Sequence, residues 1–140
     1  MKAIVLLLAL AGAVALVLPR ESMAQRADAY SRLYDPNTVE TVSGRVLSVE
    51  HIVHGPRGYY GEHLVLSTHQ GRLVVHLGPG WFMQKQALQI KPHDVLTITG
   101  SRVLLGGKPA LIAARVTKGK ETVVLRNAQG LPMWRGSRYR

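Results

Sequence analysis

The chain has 140 residues, with 18 Lys and Arg against 8 Asp and Glu, a formal net charge of +10, and no cysteine. The missing cysteines exclude disulfide frameworks, thiolate nucleophiles, zinc–thiolate sites and iron–sulfur clusters. The charge favours anionic partners such as phosphate-bearing polymers, acidic lipid headgroups or acidic proteins, and carries no information about fold.

Met1-Lys2 makes a positive start, and Ala3 to Leu18 is an apolar run. Pro19 breaks it, and Ser22-Met23-Ala24 has the small-x-small pattern that signal peptidase reads before Gln25. Residues 1–24 are therefore expected to be a signal peptide cleaved after Ala24, which makes the mature chain periplasmic or secreted. An uncleaved anchor is the competing reading, and the run falls short of the roughly 20 residues that cross a bilayer core. Removing Lys2, Arg20 and Glu21 with the leader takes the net charge from +10 to +9. What remains has the size of one domain, whose core must hold it without staples.

Residues 25–37 show no sustained periodicity and end on the turn signal Asp35-Pro36-Asn37, so a flexible or loosely docked lead-in is expected. From Thr38 the texture changes to short β-branched runs between glycines. Thr38 to Val53 reads as one long strand. Val39 and Val42 precede Gly44; Leu47, Val49 and Val53 follow it, with Val46 on the other face. That change of phase predicts a bulge or bend at Ser43-Gly44, which lets one strand serve two edges of a closed sheet. A loop over 54–58 follows.

Glu62 to Thr68 and Arg72 to Leu77 are the second and third strands, with His69-Gln70-Gly71 as a three-residue hairpin turn. Leu64, Leu66, Leu73, Val75 and Leu77 are the expected core of this hairpin. Trp81 to Ile90 is the one plausible helix of the mature chain, ended by Lys91-Pro92. Val95 to Val103, Pro109 to Lys118 and Glu121 to Arg126 are the remaining strands. A basic tail with Trp134 follows over 127–140.

Three strands, a short helix and two further strands predict an all-β, OB-like Greek-key barrel over 38–126, with five to six strands and the helix between strands 3 and 4. The segments VSGRVLSVE, GEHLVLSTHQGRLVVHLGP, KPHDVLTITGS and GGKPALIAARV resemble the small exported bacterial OB-fold proteins often called BOF, over about Val39 to Val116. Their first strand carries G-x-V-x-x-V-E and their fourth G-D-x-V-x-V-x-G. This chain departs in having His93 where the pattern has glycine before Asp94. The resemblance implies export and a ligand-binding barrel face, and it supplies no catalytic residues.

No catalytic motif is present: there is no G-x-S-x-G, P-loop or H-E-x-x-H, and the scarce acidic residues form no evident pair. The chain is expected not to be an enzyme, to need no cofactor, and to bind an envelope protein or an anionic ligand. The expected ligand edge comprises Arg57, Tyr59, Tyr60, His63, Arg72 and His76, with Trp134 and Arg135 of the tail. Trp134 alternatively closes a hydrophobic gap on the barrel.

Histidine-based metal binding is a second reading, with His51, His54, His63 and His76 as candidates, since imidazole must serve where thiolate is missing. His51 and His54 are three apart on a strand and point to opposite faces. In the three-residue turn Thr68 pairs with Arg72, which sets Leu64 and not His63 opposite His76. Single-strand nucleic-acid binding is a third and disfavoured reading. The outward residues His63, Val65, Ser67, Val74 and His76 include no stacking platform.

Overall fold

The computed structural model describes residues 30–54 and 58–135. The leader with its cleavage position, residues 25–29 of the lead-in, Arg57 and residues 136–140 lie outside the described residues. The strands are β1 (Val39–His54), β2 (Tyr59–Thr68), β3 (Gly71–Pro79), β4 (Val95–Leu105), β5 (Lys108–Lys118) and β6 (Glu121–Val124). A single helical turn, α1 (Gly80–Met83), lies between β3 and β4.

The sheet order is β3-β2-β1-β4-β5-β6, and a parallel pairing of β3 with β5 closes the first five strands into a barrel, leaving β6 appended to β5. This is the expected OB-like arrangement. β1 makes it possible by serving two neighbours: its first half pairs with β4 as far as Arg45, and from Arg45 onward it pairs with β2. Gly44 lies at the crossover, where a Cβ would collide with the Ser67 carbonyl and the Leu66 side chain. Only glycine permits that approach.

The phase change in β1 is real but is completed later than expected. The register slips between Val46 and Ser48, so the extra residue of the bulge is Leu47. Val46 is consequently fully buried in the core, while Leu47 and Val53 face solvent. The five hairpin residues expected inside, Leu64, Leu66, Leu73, Val75 and Leu77, are all buried. With Leu96, Ile98, Leu111 and Val116 they fill the barrel interior.

The helix is shorter than expected. After Met83 the backbone tightens into i→i+3 bonds, from Lys85 N to Phe82 O and from Gln86 N to Met83 O, and the chain then runs on without helix. The apolar spacing explains it. Met83, Leu88 and Ile90 all pack on the core, yet Leu88 stands five residues from Met83 and two from Ile90, spacings that do not share one helical face. Leu88 and Ile90, two apart, share a face of extended chain instead.

β5 is apolar on both sides from Ala110 to Ala114 because both sides are covered. Leu111 and Ala113 face the interior, whereas Ile112 and Ala114 meet Tyr30, Tyr34 and Val103 in a second cluster outside the barrel. Residues 30–34 thus lie across the outer wall. Asp35 N donates to the Ser101 hydroxyl at 2.9 Å.

The barrel seam is completed by Arg126. The β3–β5 ladder covers only Val74↔Ala110, Val75↔Leu111 and His76↔Ile112. Just beyond it, Arg126 Nη1 donates to the carbonyls of Leu77 (3.1 Å) and Ala113 (2.8 Å). Its guanidinium also lies 4.8 Å from the ring centroid of Trp134. Burial pulls the Arg126 pKa down to about 10, so the group stays cationic at neutral pH. Replacing Arg126 by alanine strands two buried carbonyls and opens a void under Trp134. A stability loss of about 2–4 kcal/mol is expected, measured as a lower urea midpoint.

His93, flagged as standing where glycine is the pattern, has φ 76°, in the left-handed region. The turn is held by Val46 N to Asp94 O and His93 N to Val46 O, both 2.8 Å. His93→Gly relieves the Cβ clash of that conformation and is expected to raise stability by about 0.5–1 kcal/mol in the same denaturation assay.

Candidate functional site

The expected ligand residues divide among three places. β1 and β2 run on as a two-stranded arm with His51↔Glu62, Ile52↔Gly61, Val53↔Tyr60 and His54↔Tyr59 opposite one another. His51 and Tyr60 stack there, with ring centroids 4.3 Å apart and planes at 29°. The Tyr60 hydroxyl accepts a 2.5 Å hydrogen bond from Gln84 Nε2, just past α1. The Tyr60 ring also fills the space where Gly80 lacks a side chain. Tyr59 is exposed at the end of the arm. Arg57 belongs to the loop outside the described residues, as does the side chain of His54.

His63 and His76 form the second place, and here the expected register is corrected. Thr68 pairs with Gly71 and not with Arg72, so the turn has two residues, His69 and Gln70, and His63 lies directly opposite His76. Gly71 takes φ 111°, and the Thr68 hydroxyl donates to the Gly71 carbonyl while accepting from Gln70 N. These bonds close the shorter turn. The two imidazoles approach to 3.9 Å between centroids on the outer wall. Tyr30 lies over them, 4.7 Å from His76 and 6.3 Å from His63. Both histidines are buried as a result, so this part of the β2–β3 face is not open to a base or an ion from solvent.

Arg72 is exposed at the β2–β3 turn, opposite Ser67 and at the far end of β2 from the arm. Trp134 is not a surface residue. It is 5 % exposed, plugs the gap at Gly78, and meets Phe82 at 5.2 Å. The gap-closing role applies, and Arg135 beside it is exposed. Among the described residues, no three His, Asp or Glu converge as a metal-binding group.

Glu62 on the arm and Gln84 just past α1 are the members of the site that the sequence did not single out. Glu62 Oε2 lies 3.7 Å from His51 Nε2, with side-chain exposures of 13 % and 54 %. Burial pushes the Glu62 carboxyl up from its usual value, and the His51 charge opposes this in part. The site is thus a half-buried carboxylate, an imidazole held flat against a phenol, and a glutamine that positions the phenol. Two other described acids pair with stronger cations, Glu40 with Arg102 and Asp94 with Lys118.

Glu62 holds its proton more tightly in the folded chain than in the unfolded one. Between the usual carboxylate value of 4.5 and the raised one, the folded state therefore binds more protons, and stability falls as the pH rises. Glutamine at this position does not titrate. The stability of Glu62→Gln relative to the wild type is expected to increase when urea midpoints are compared at about pH 4 and about pH 7. A difference that stays constant or shrinks contradicts the desolvation of Glu62.

No curated protein matches the chain. A family model does, over residues 38–123, from the turn before β1 into β6. What the structure supports of the resemblance to exported OB-fold proteins is the small barrel, over nearly the same residues. The match spans more than half of the sequence and the whole of the closed barrel, and on it the chain belongs to the MamS/MamX magnetosome protein family.

Proposed function

We propose that this is an exported, non-catalytic accessory protein of the magnetosome that docks a protein partner or an anionic ligand on the outside of its barrel. The family description supports the location. The leader pattern Ser22-Met23-Ala24 supports export across a membrane before folding. Among the described residues no helix is long and apolar enough to cross a membrane.

The observation that carries the docking role is the arm. Its interior counterpart is filled by side chains of zero exposure, so recognition falls to the surface. There Ile52, Val53 and Tyr59 are 39 %, 64 % and 51 % exposed, next to the rigid His51–Tyr60 stack. Exposed aliphatic and tyrosine side chains on a pre-ordered support are what the centre of a protein interface uses, because little entropy is lost when they are covered.

The test joins processing to contact. The protein recovered from its native membranes is weighed intact, and a photo-crosslinking residue is placed at Val53 or, as control, at Val124 on β6. The expected outcome is a chain beginning at Gln25 that crosslinks to a discrete partner through position 53, lost on Tyr59→Asp without a change in urea midpoint. A chain that keeps residues 1–24 removes the reading of a cleaved export leader. Crosslinks at 124 that equal those at 53 remove the arm as the docking surface.

A further inference from the structure

We infer that His51 and Glu62 are the two protein ligands of an open divalent transition-metal site at the base of the β1–β2 arm. It takes up the metal chemistry expected of the histidines, but at a histidine–carboxylate pair and not at the buried His63–His76 pair.

The two donors are register partners on adjacent strands, so the sheet sets their spacing. At 3.7 Å, His51 Nε2 and Glu62 Oε2 are too far apart for a good hydrogen bond. Two donors about 2.1 Å from one tetrahedral ion stand roughly 3.4 Å apart, so a movement of a few tenths of an ångström completes the chelate. Each donor is supported from behind. His51 is held by its stack on Tyr60, and Tyr60 by Gln84 and by the missing side chain of Gly80. Such supports orient ligands and raise their affinity.

The electrostatics agree. In a chain with 18 basic residues, the half-buried Glu62 has neither Lys nor Arg as an ion-pair partner among the described residues. A divalent cation supplies the missing charge at the one position where desolvation makes a carboxylate most receptive to it. His51 is half exposed, which leaves the remaining coordination positions to water or to a donor from a docked partner. Imidazole with carboxylate, without thiolate, selects zinc, cobalt, nickel or copper over calcium. The site stands whether or not the arm also meets a protein, since metal titration is read on the isolated chain.

The experiment is calorimetric titration of the tag-free protein with zinc alone and with cobalt alone, the cobalt samples also followed by their visible absorption. One ion per chain is expected, with a dissociation constant tighter than about 100 μM. His51→Gln and Glu62→Gln are each expected to weaken it by about 10–100-fold, while His69→Gln, on the β2–β3 turn, leaves it unchanged. Circular dichroism confirms that each variant is folded; the exposure of His51 makes its replacement tolerable to the barrel. No binding tighter than that limit, or unchanged affinity in either the His51 or the Glu62 variant, overturns the assignment.

Discussion

The parallel seam between β3 and β5 is the constraint on which the rest of the molecule depends. Three residue pairs are a short ladder, and parallel pairing is weaker per residue than antiparallel. Without it the chain is an open sheet with two edges. Arg126 extends the seam by one step, spanning the strands with one nitrogen on a carbonyl from each. A buried cation with no carboxylate partner among the described residues is costly, and the offset here comes from two carbonyl dipoles and the face of Trp134. The tail is therefore part of the closure: Met133 N bonds to Leu125 O, which brings Trp134 back over the arginine.

Closure settles where recognition can occur. A five-stranded barrel has an interior just large enough for its own side chains, and the core residues occupy it. Polar groups are displaced to the outer wall and the ends of the strands. On the wall, residues 30–34 cover His63 and His76. At the end, the β1–β2 arm runs beyond the core and keeps His51 exposed beside the more deeply set Tyr60 and Glu62. Trp134 reaches this region from below through Phe82, which adjoins Trp81 in α1. The same tail that secures the seam also steadies the support of Tyr60.

The strand count, the long first strand and the core face of the β2–β3 hairpin were legible because alternation and glycine punctuation report directly on which side of a sheet is buried. Registers were not. Whether Gly71 belongs to the turn or to β3 shifts the pairing by one residue, and nothing local distinguishes the two. That single residue decides whether His63 faces Leu77 or His76. The bulge at Leu47 was displaced from the visible glycine because the bend begins at Gly44 and the extra residue is absorbed afterwards. Arg126, and what Trp134 packs against, were not legible for another reason. Their partners are carbonyls and rings from β3, β5 and α1, contacts that no periodicity records. Glu62 was missed by the same one-residue margin: a loop at 54–58 sets His51 opposite Gly61, whereas β1 runs on to His54, pairs it with Tyr59, and so sets His51 opposite Glu62.

The two histidine pairings show why proximity alone does not define a site. His63 and His76 are closer together than His51 and Glu62, yet they lie beneath an aromatic ring on a wall that β5 and the N-terminal segment have already covered. Their burial serves the fold by docking residues 30–34. His51 and Glu62 are held just as firmly, by backbone register and by a stack, but where the described residues leave His51 half exposed. In this basic protein the half-buried carboxylate of Glu62 faces an imidazole and has neither lysine nor arginine paired to it among the described residues, which leaves it for a cation from outside. The fold makes this possible because the arm projects beyond the barrel whose seam Arg126 completes.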